Sequence, residues 1–196
     1  MKTSFRRGLA TACAGVAALV ALQAPATAAP AITAATTIPI RMQAQEKSNW
    51  CWDASGNTIA AWWGHSLTQT KFCQVAHNES GSDCANNQGY LSDQQRVFRW
   101  LGFSNVGTYS SSGQTLSFAS IKSQVDARQP IGTRIGWRNG GGHMHVLYGY
   151  DNTNGATTVY YGDPWGSSPR YNQMSYNAYR SNNSFTWTHT VYGIKD

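Results

Sequence analysis

Charge is scarce in this chain: Lys, Arg, Asp and Glu together make up only 12% of its 196 residues. The net +6 does not come from a basic patch. Residues 1–29 hold three of the 15 Lys+Arg and none of the nine Asp+Glu, so the remainder carries +3. With no basic run in that remainder, the electrostatic footprint of a nucleic-acid binder is missing. The apolar run from Leu9 to Leu22 is too short and too rich in Ala to anchor the chain in a membrane. Neither CxxC nor HExxH occurs, so the common zinc-binding spacings are excluded and no metal or cofactor is expected. No segment repeats.

The N-terminus reads as an export signal. Lys2, Arg6 and Arg7 precede the apolar run, and Ala26-Thr27-Ala28 fits the A-x-A cleavage rule, so cleavage is expected after Ala28, or after Ala29 if Thr27-Ala28-Ala29 is read, with residues 1–29 taken as the signal. The arginine pair resembles a twin-arginine signal but has Phe5 where Ser or Thr belongs, which leaves the export route open. Residues 30–38 form a short Ala/Thr leader without room for a folded inhibitory segment, and 39–196 form one domain. The expected location is extracellular, as a monomer without stable membrane association.

Cysteine is scarce as well, and its arithmetic is informative. Cys13 leaves with the signal, and Cys51, Cys73 and Cys84 remain. Cys73 and Cys84 flank a polar loop that a disulfide would close, which leaves Cys51 as the free thiol. After Cys51, residues Trp52, Ser55, Ile59 and Trp62/Trp63 recur at helical spacing, with Ser48 or Asn49 available to cap the start and Gly64 to stop the helix. Cys51 therefore falls in a first helical turn, where open backbone N–H groups and the helix dipole favour a thiolate. Gln45, six residues upstream, offers a side-chain amide that can fold back over the same spot.

The rest of the first half is largely helical. Thr68–Ala76, Leu91–Leu101 and Ser117–Arg128 carry helical patterns, Thr108–Gln114 reads as a loop, and Ile38–Ala44 reads as a strand leading into the Gln45 loop. From Pro130 the period changes. Ile131–Trp137, His143–Tyr150, Thr157–Tyr161, Phe185–His189 and Val191–Ile194 are short and rich in β-branched and aromatic residues, as in an antiparallel sheet. Helices followed by strands predict an α+β fold with a cleft where the two halves meet.

Two further side chains complete a chemical set. Gly140-Gly141-Gly142 deliver His143 to the start of a strand, and Asp163 ends the next one, so a hairpin can bring imidazole and carboxylate together. A thiolate needs a base to hold its proton, and that base needs an acceptor to fix its tautomer. Cys51, His143 and Asp163 supply the three. His145 shares the strand face of His143, and alternation alone does not separate them.

At these residues the chain resembles the papain-like cysteine proteases. Gln45 stands six residues before Cys51, as the family's oxyanion-hole Gln stands before its nucleophile. His143 lies six residues before Gly149-Tyr150, as the family's His precedes its Gly-Tyr. Asp163-Pro164-Trp165-Gly166 is similar to the family's Asn-Ser-Trp-Gly, with Asp163 in the place of the orienting Asn and Trp165 in that of the shielding Trp. The motifs Ser48–Trp52 and Gly140–Asp151, with Asp163-Pro164-Trp165, resemble more specifically the small bacterial branch that includes the plant-pathogen avirulence effector protease. The resemblance implies a papain-like fold, with a nucleophile helix in the N-terminal half and an antiparallel sheet in the C-terminal half. It also implies a cysteine endopeptidase acting on polypeptide, which the expected export signal makes a secreted one, with catalytic Cys51, His143, Asp163 and Gln45 and with Trp50, Trp52, Trp165 and Gly142 around substrate. Asp53 departs from the branch, which has Ala there, and a carboxylate facing the thiol would oppose its ionisation.

Three other functions fit part of the pattern. A peptidoglycan amidase or endopeptidase of a related Cys-His superfamily is also small, secreted and Cys-before-His. A cell-wall or carbohydrate-binding module would explain aromatic-rich stretches such as Tyr171–Tyr179, although it needs no free Cys. A zinc site from Cys51, His143 and His145 lacks a fourth ligand.

Overall fold

The structure is a computed structural model that describes residues 35–111 and 113–196. The expected signal peptide and most of the leader lie outside the described residues. Among the described residues, five helices and seven strands follow in the order β1 (Thr36–Thr37), α1 (Cys51–Trp62), α2 (Gln69–His77), α3 (Leu91–Leu101), β2 (Asn105–Ser110), α4 (Phe118–Asp126), β3 (Ile131–Trp137), β4 (Gly142–Asp151), β5 (Thr158–Gly162), β6 (Tyr171–Ser175), α5 (Tyr176–Arg180) and β7 (Phe185–Lys195), with a 3-10 turn at Thr153–Gly155. The main sheet runs β2-β7-β3-β4-β5-β6, every pairing antiparallel, and β1 adds to β4.

The helix α1 organises the molecule because it is buried along nearly all its length, from Trp52 to Ala60. Small residues at Ala54, Ser55, Gly56 and Ala60 let neighbouring elements approach closely. A Cβ on Gly56 would stand 2.6 Å from Phe72 of α2 and 2.8 Å from Gln94 of α3. On its other side α1 packs on β4 and β3, so one helix joins the helical layer to the sheet. Its end is a Schellman closure: Gly64, at φ +95°, donates to Ala61 O, and His65 N–H reaches Ala60 O. Its start differs from expectation. The N-cap is Trp50, which makes no side-chain cap bond. Ser48 and Asn49 are instead held by Asn86, whose side chain accepts from Asn49 N–H and donates to Ser48 Oγ.

Four other expectations are corrected. Residues 38–44 are not a strand: Ile38, Ile40 and Met42 alternate into the core, but beyond an Ile38 N–H bond to Tyr148 O no neighbouring strand forms a ladder with them. Thr108–Ser110 belong to the edge strand β2, exposed on much of its surface and formed only because β7 supplies a partner. The aromatic stretch Tyr171–Tyr179 is β6 plus α5, and Tyr179 is fully buried rather than displayed. Phe185–His189 and Val191–Ile194 are one continuous strand, β7.

Cys73 and Cys84 are disulfide-bonded, and among the described residues Cys51 is the free thiol. The bridge closes a short polar loop and contributes about 3 kcal/mol by restricting the unfolded chain. Just beyond it, residues 85–89 are pinned to the start of α1, because Trp50 Nε1 donates to Ala85 O and Trp52 Nε1 donates to Asn87 O.

Candidate active site

Cys51 is the first residue of α1 and is partly exposed. Its backbone N–H is one of the first-turn donors that a helical ladder leaves open. Above it, the β3–β4 hairpin turns through Gly140 and Gly141, at φ +97° and +81°. His143 follows on β4, paired with Ile135 of β3. On the other side of β4, Val146 pairs with Gly162 of β5, which sets Asp163 just past the strand end. The hairpin thereby brings His143 Nε2 to 2.7 Å from Asp163 Oδ1. With Nε2 engaged, Nδ1 is the ring nitrogen left for the thiol.

The electrostatics follow from that arrangement. Burial by itself pushes the His143 pKa down, but the Asp163 hydrogen bond, the neighbouring Cys51 thiol and the Asp163 charge outweigh it and raise it to about 9. Burial likewise works against the Asp163 charge. The His143 bond, the neighbouring His145 and the Trp165 N–H, 2.8 Å from Oδ1, overcome this and hold the carboxyl below the ordinary carboxylate range. An imidazolium beside a carboxylate is therefore the resting state of this pair near neutral pH.

His145 has a different environment. Its ring meets that of His143 edge-on at 5.0 Å, its Nδ1 lies 3.2 Å from Tyr179 Oη, and its Nε2 is 3.9 Å from Asp163 Oδ2, too far for a hydrogen bond. Burial and the adjacent His143 drive its pKa down to about 3, so it is neutral. Tyr179 continues the chain to Thr133 Oγ1 at 2.7 Å. His143, His145 and Asp163 offer ligand atoms within 4.8 Å of one another. Cys51 is not part of that cluster, unlike the zinc set weighed from sequence, and the short His143–Asp163 bond already occupies the two groups best placed to bind.

A cleft of about 260 Å³ opens over the thiol, lined among others by Cys51, Trp52, Gly89, Arg134, His143 and Trp165. Gly142 also lines it, whereas Trp50 is fully buried and acts only through the chain it packs against. Gly89 lies so close on the Trp52 ring that any side chain there would overlap it. Trp165 meets the His143 ring edge-on at 5.8 Å, and Trp137 stacks on it at 6.2 Å. Both indoles stay exposed, at 45% and 38%, while the imidazole between them is buried.

Gln45 is not among the residues lining that cleft. Its Nε2 donates to the carbonyls of Lys47 and Ser48 at 2.9 and 2.8 Å, its Oε1 is buried without a partner, and its backbone N–H bonds Pro164 O. The Gln45 loop is thus tied directly to the Asp163-Pro164-Trp165 segment. Asp53 is not among the residues lining the cleft either. It is fully buried, and neither carboxyl oxygen has a hydrogen-bond partner. Burial and the charge of Glu46 push its pKa up to about 9, against a weaker pull from the Cys73 N–H, which serves the α2 ladder. Asp53 is therefore a neutral acid and places no negative charge beside Cys51.

Sequence reasoning missed Arg134, Trp137, Tyr179 and Gly89. Trp137 and Arg134 were accessible in principle: pairing Ile131–Trp137 with the strand from His143 across the glycine turn puts both residues at the mouth of that hairpin. Gly89 and Tyr179 come from a loop and a short helix with no local signature.

A free thiol at a helix N-terminus, with a His–Asp pair on a facing antiparallel sheet, defines a papain-like cysteine peptidase. The model of the papain-like cysteine protease AvrRpt2 family matches residues 32–184, and the chain belongs to that family. It is therefore a cysteine peptidase, a hydrolase. Among solved structures it is similar to digestive procathepsin L 3 of Tenebrio molitor larval midgut, at 12% identity and a TM-score of 0.54 over 82% of this chain and 70% of that one. It is also similar to UfSP from C. elegans, at 13% identity and a TM-score of 0.53 over 84% of this chain but only 34% of the other. These likenesses concern the fold. No curated protein matches the sequence.

Proposed function

We propose that the protein is a secreted, monomeric endopeptidase that cleaves polypeptides through Cys51, His143 and Asp163. The observation that carries this reading is the 2.7 Å bond from His143 Nε2 to Asp163, which reserves Nδ1 for the thiol at the start of α1. In the proposed cycle the Cys51 thiolate, paired with the His143 imidazolium, attacks a peptide carbonyl. The Cys51 backbone N–H stabilises the oxyanion, joined by the Gln45 amide once it exchanges one of its loop-carbonyl bonds. His143 then protonates the leaving amine, and water, deprotonated by His143, releases the acyl group. Asp163 orients the ring and keeps its charge throughout. Among the described residues no helix is long and apolar enough to cross a membrane. The N-terminal signal pattern supports export.

The test is incubation of the protein, freed of residues 1–29, with denatured casein and a mixed peptide library. Cleavage at a repeatable sequence preference, lost in Cys51→Ala and after thiol alkylation, is expected. Digestion of purified cell-wall sacculi with every library peptide left intact would overturn the endopeptidase reading and favour a peptidoglycan amidase.

A further inference from the structure

Besides the His143 imidazolium, the cleft is lined by the cation Arg134, and nothing in the proposed chemistry uses it. It sits on β3 opposite Met144 of β4 and His189 of β7. Its guanidinium is seated on glycine: a Cβ on Gly142 would stand 2.5 Å from Nη2 and 2.6 Å from Cζ, and one on Gly136 would stand 3.7 Å from Nη1. Nη1 donates to Thr188 Oγ1 at 3.1 Å, and that hydroxyl in turn donates to Arg134 O at 3.0 Å. The head group is thus held in one place by two side-chain-free positions and a threonine. Only one of its five donors is used in a side-chain bond among the described residues.

No carboxylate pairs with it. The ion pairs among the described residues involve Lys47, His65, His77, His143 and His145, and none involves Arg134. Neither the Cys51 cleft nor the adjoining hollow of about 170 Å³, which Arg134 also lines with Tyr90, Leu91, Tyr109 and His189, contains an acidic residue. Burial and Arg134 together lower the His189 pKa, so the second basic group there is held neutral rather than competing for an anion. Asp163 and Ser168 line a neighbouring hollow, which shares Trp137, Gly142, His143 and Trp165 with the cleft but does not include Arg134.

We infer that Arg134 forms an acid-selective subsite of the Cys51 cleft, which receives a Glu or Asp side chain of the substrate near the scissile bond. A planar guanidinium with its open edge toward the cleft matches a carboxylate through paired, charge-assisted hydrogen bonds. Preorganisation by Gly142, Gly136 and Thr188 removes the ordering cost that a mobile surface Arg would carry. The acidic subsite presupposes the endopeptidase reading above.

The experiment compares kcat/KM for matched peptides that carry Glu, Gln or Lys at each position on either side of the scissile bond in turn. At one position the native protein should prefer Glu over Gln by about tenfold or more, with Lys worst, and the preference should shrink at high salt. Arg134→Gln should bring the Glu:Gln ratio to about one, Arg134→Lys should keep part of it, and Arg134→Glu should turn the preference toward Lys. Each ratio is measured within one preparation, so loss of folded protein cancels. A Glu:Gln ratio near one at every position in the native protein, or a preference that persists in Arg134→Gln, overturns the subsite and leaves the endopeptidase reading standing. Failure of the native protein to cleave any peptide overturns both.

Discussion

Replacing Asp53 with Asn should stabilise the protein strongly at neutral pH and hardly at all near pH 4. Both Asp53 oxygens are buried without partners, and the folded pKa is raised from 3.8 to about 9. Between those values the folded state binds a proton that the unfolded state releases, so stability falls as pH rises from about 4 through about 9. The slope is about 1.4 kcal/mol per pH unit for one proton. From 3.8 to 7 this amounts to about 4 kcal/mol, a ceiling that relaxation of the site reduces. Asn has nearly the same shape and no such proton, so it escapes the cost. Urea unfolding of native protein and Asp53→Asn at a series of pH values reads the difference directly, because every other titrating group is common to both. On the thermal scale the gain at pH 7 is about 10 °C for a domain of this size. A stability difference that does not change with pH would refute the picture of a buried, neutral acid. So would an Asn variant that is less stable at pH 7.

The remaining predictions concern turnover. The imidazolium of His143 is needed to protonate the leaving amine, so kcat/KM should fall as pH rises through about 9, where its raised pKa lies; an alkaline limb near the ordinary histidine value of about 6.5 would contradict the His143–Asp163 pairing. His143→Ala should remove nearly all activity and His145→Ala should leave a measurable part, and steady-state assays showing the reverse would reassign the base. Gln45→Ala should lower kcat by about 10- to 1,000-fold with KM little changed, as for loss of an oxyanion donor; an unchanged kcat would mean that Gln45 keeps its bonds to Lys47 and Ser48 throughout the cycle.

The sequence alone determined what is encoded locally or along one hairpin. An aromatic helix beginning at Cys51 and stopped by Gly64, a glycine turn before His143 and a carboxylate at the end of the next strand are each readable within about a dozen residues. Helical and strand periods differ enough to place them on opposite layers. The odd number of cysteines after the expected signal left the Cys73–Cys84 loop as the natural bridge. Alternation left His143 and His145 on one face of β4, and only the family spacing to Gly149-Tyr150 favoured His143; the tertiary structure gives the physical difference, 2.7 Å against 3.9 Å to one carboxylate. It also decided the state of Asp53, since ionisation depends on burial and on Glu46 and Cys73, which no spacing reveals. The edge strands β2 and β6 and the cleft residues Gly89 and Arg134 belong to the same category. Each owes its conformation or exposure to partners far away in the chain, and long-range packing leaves little trace in local pattern.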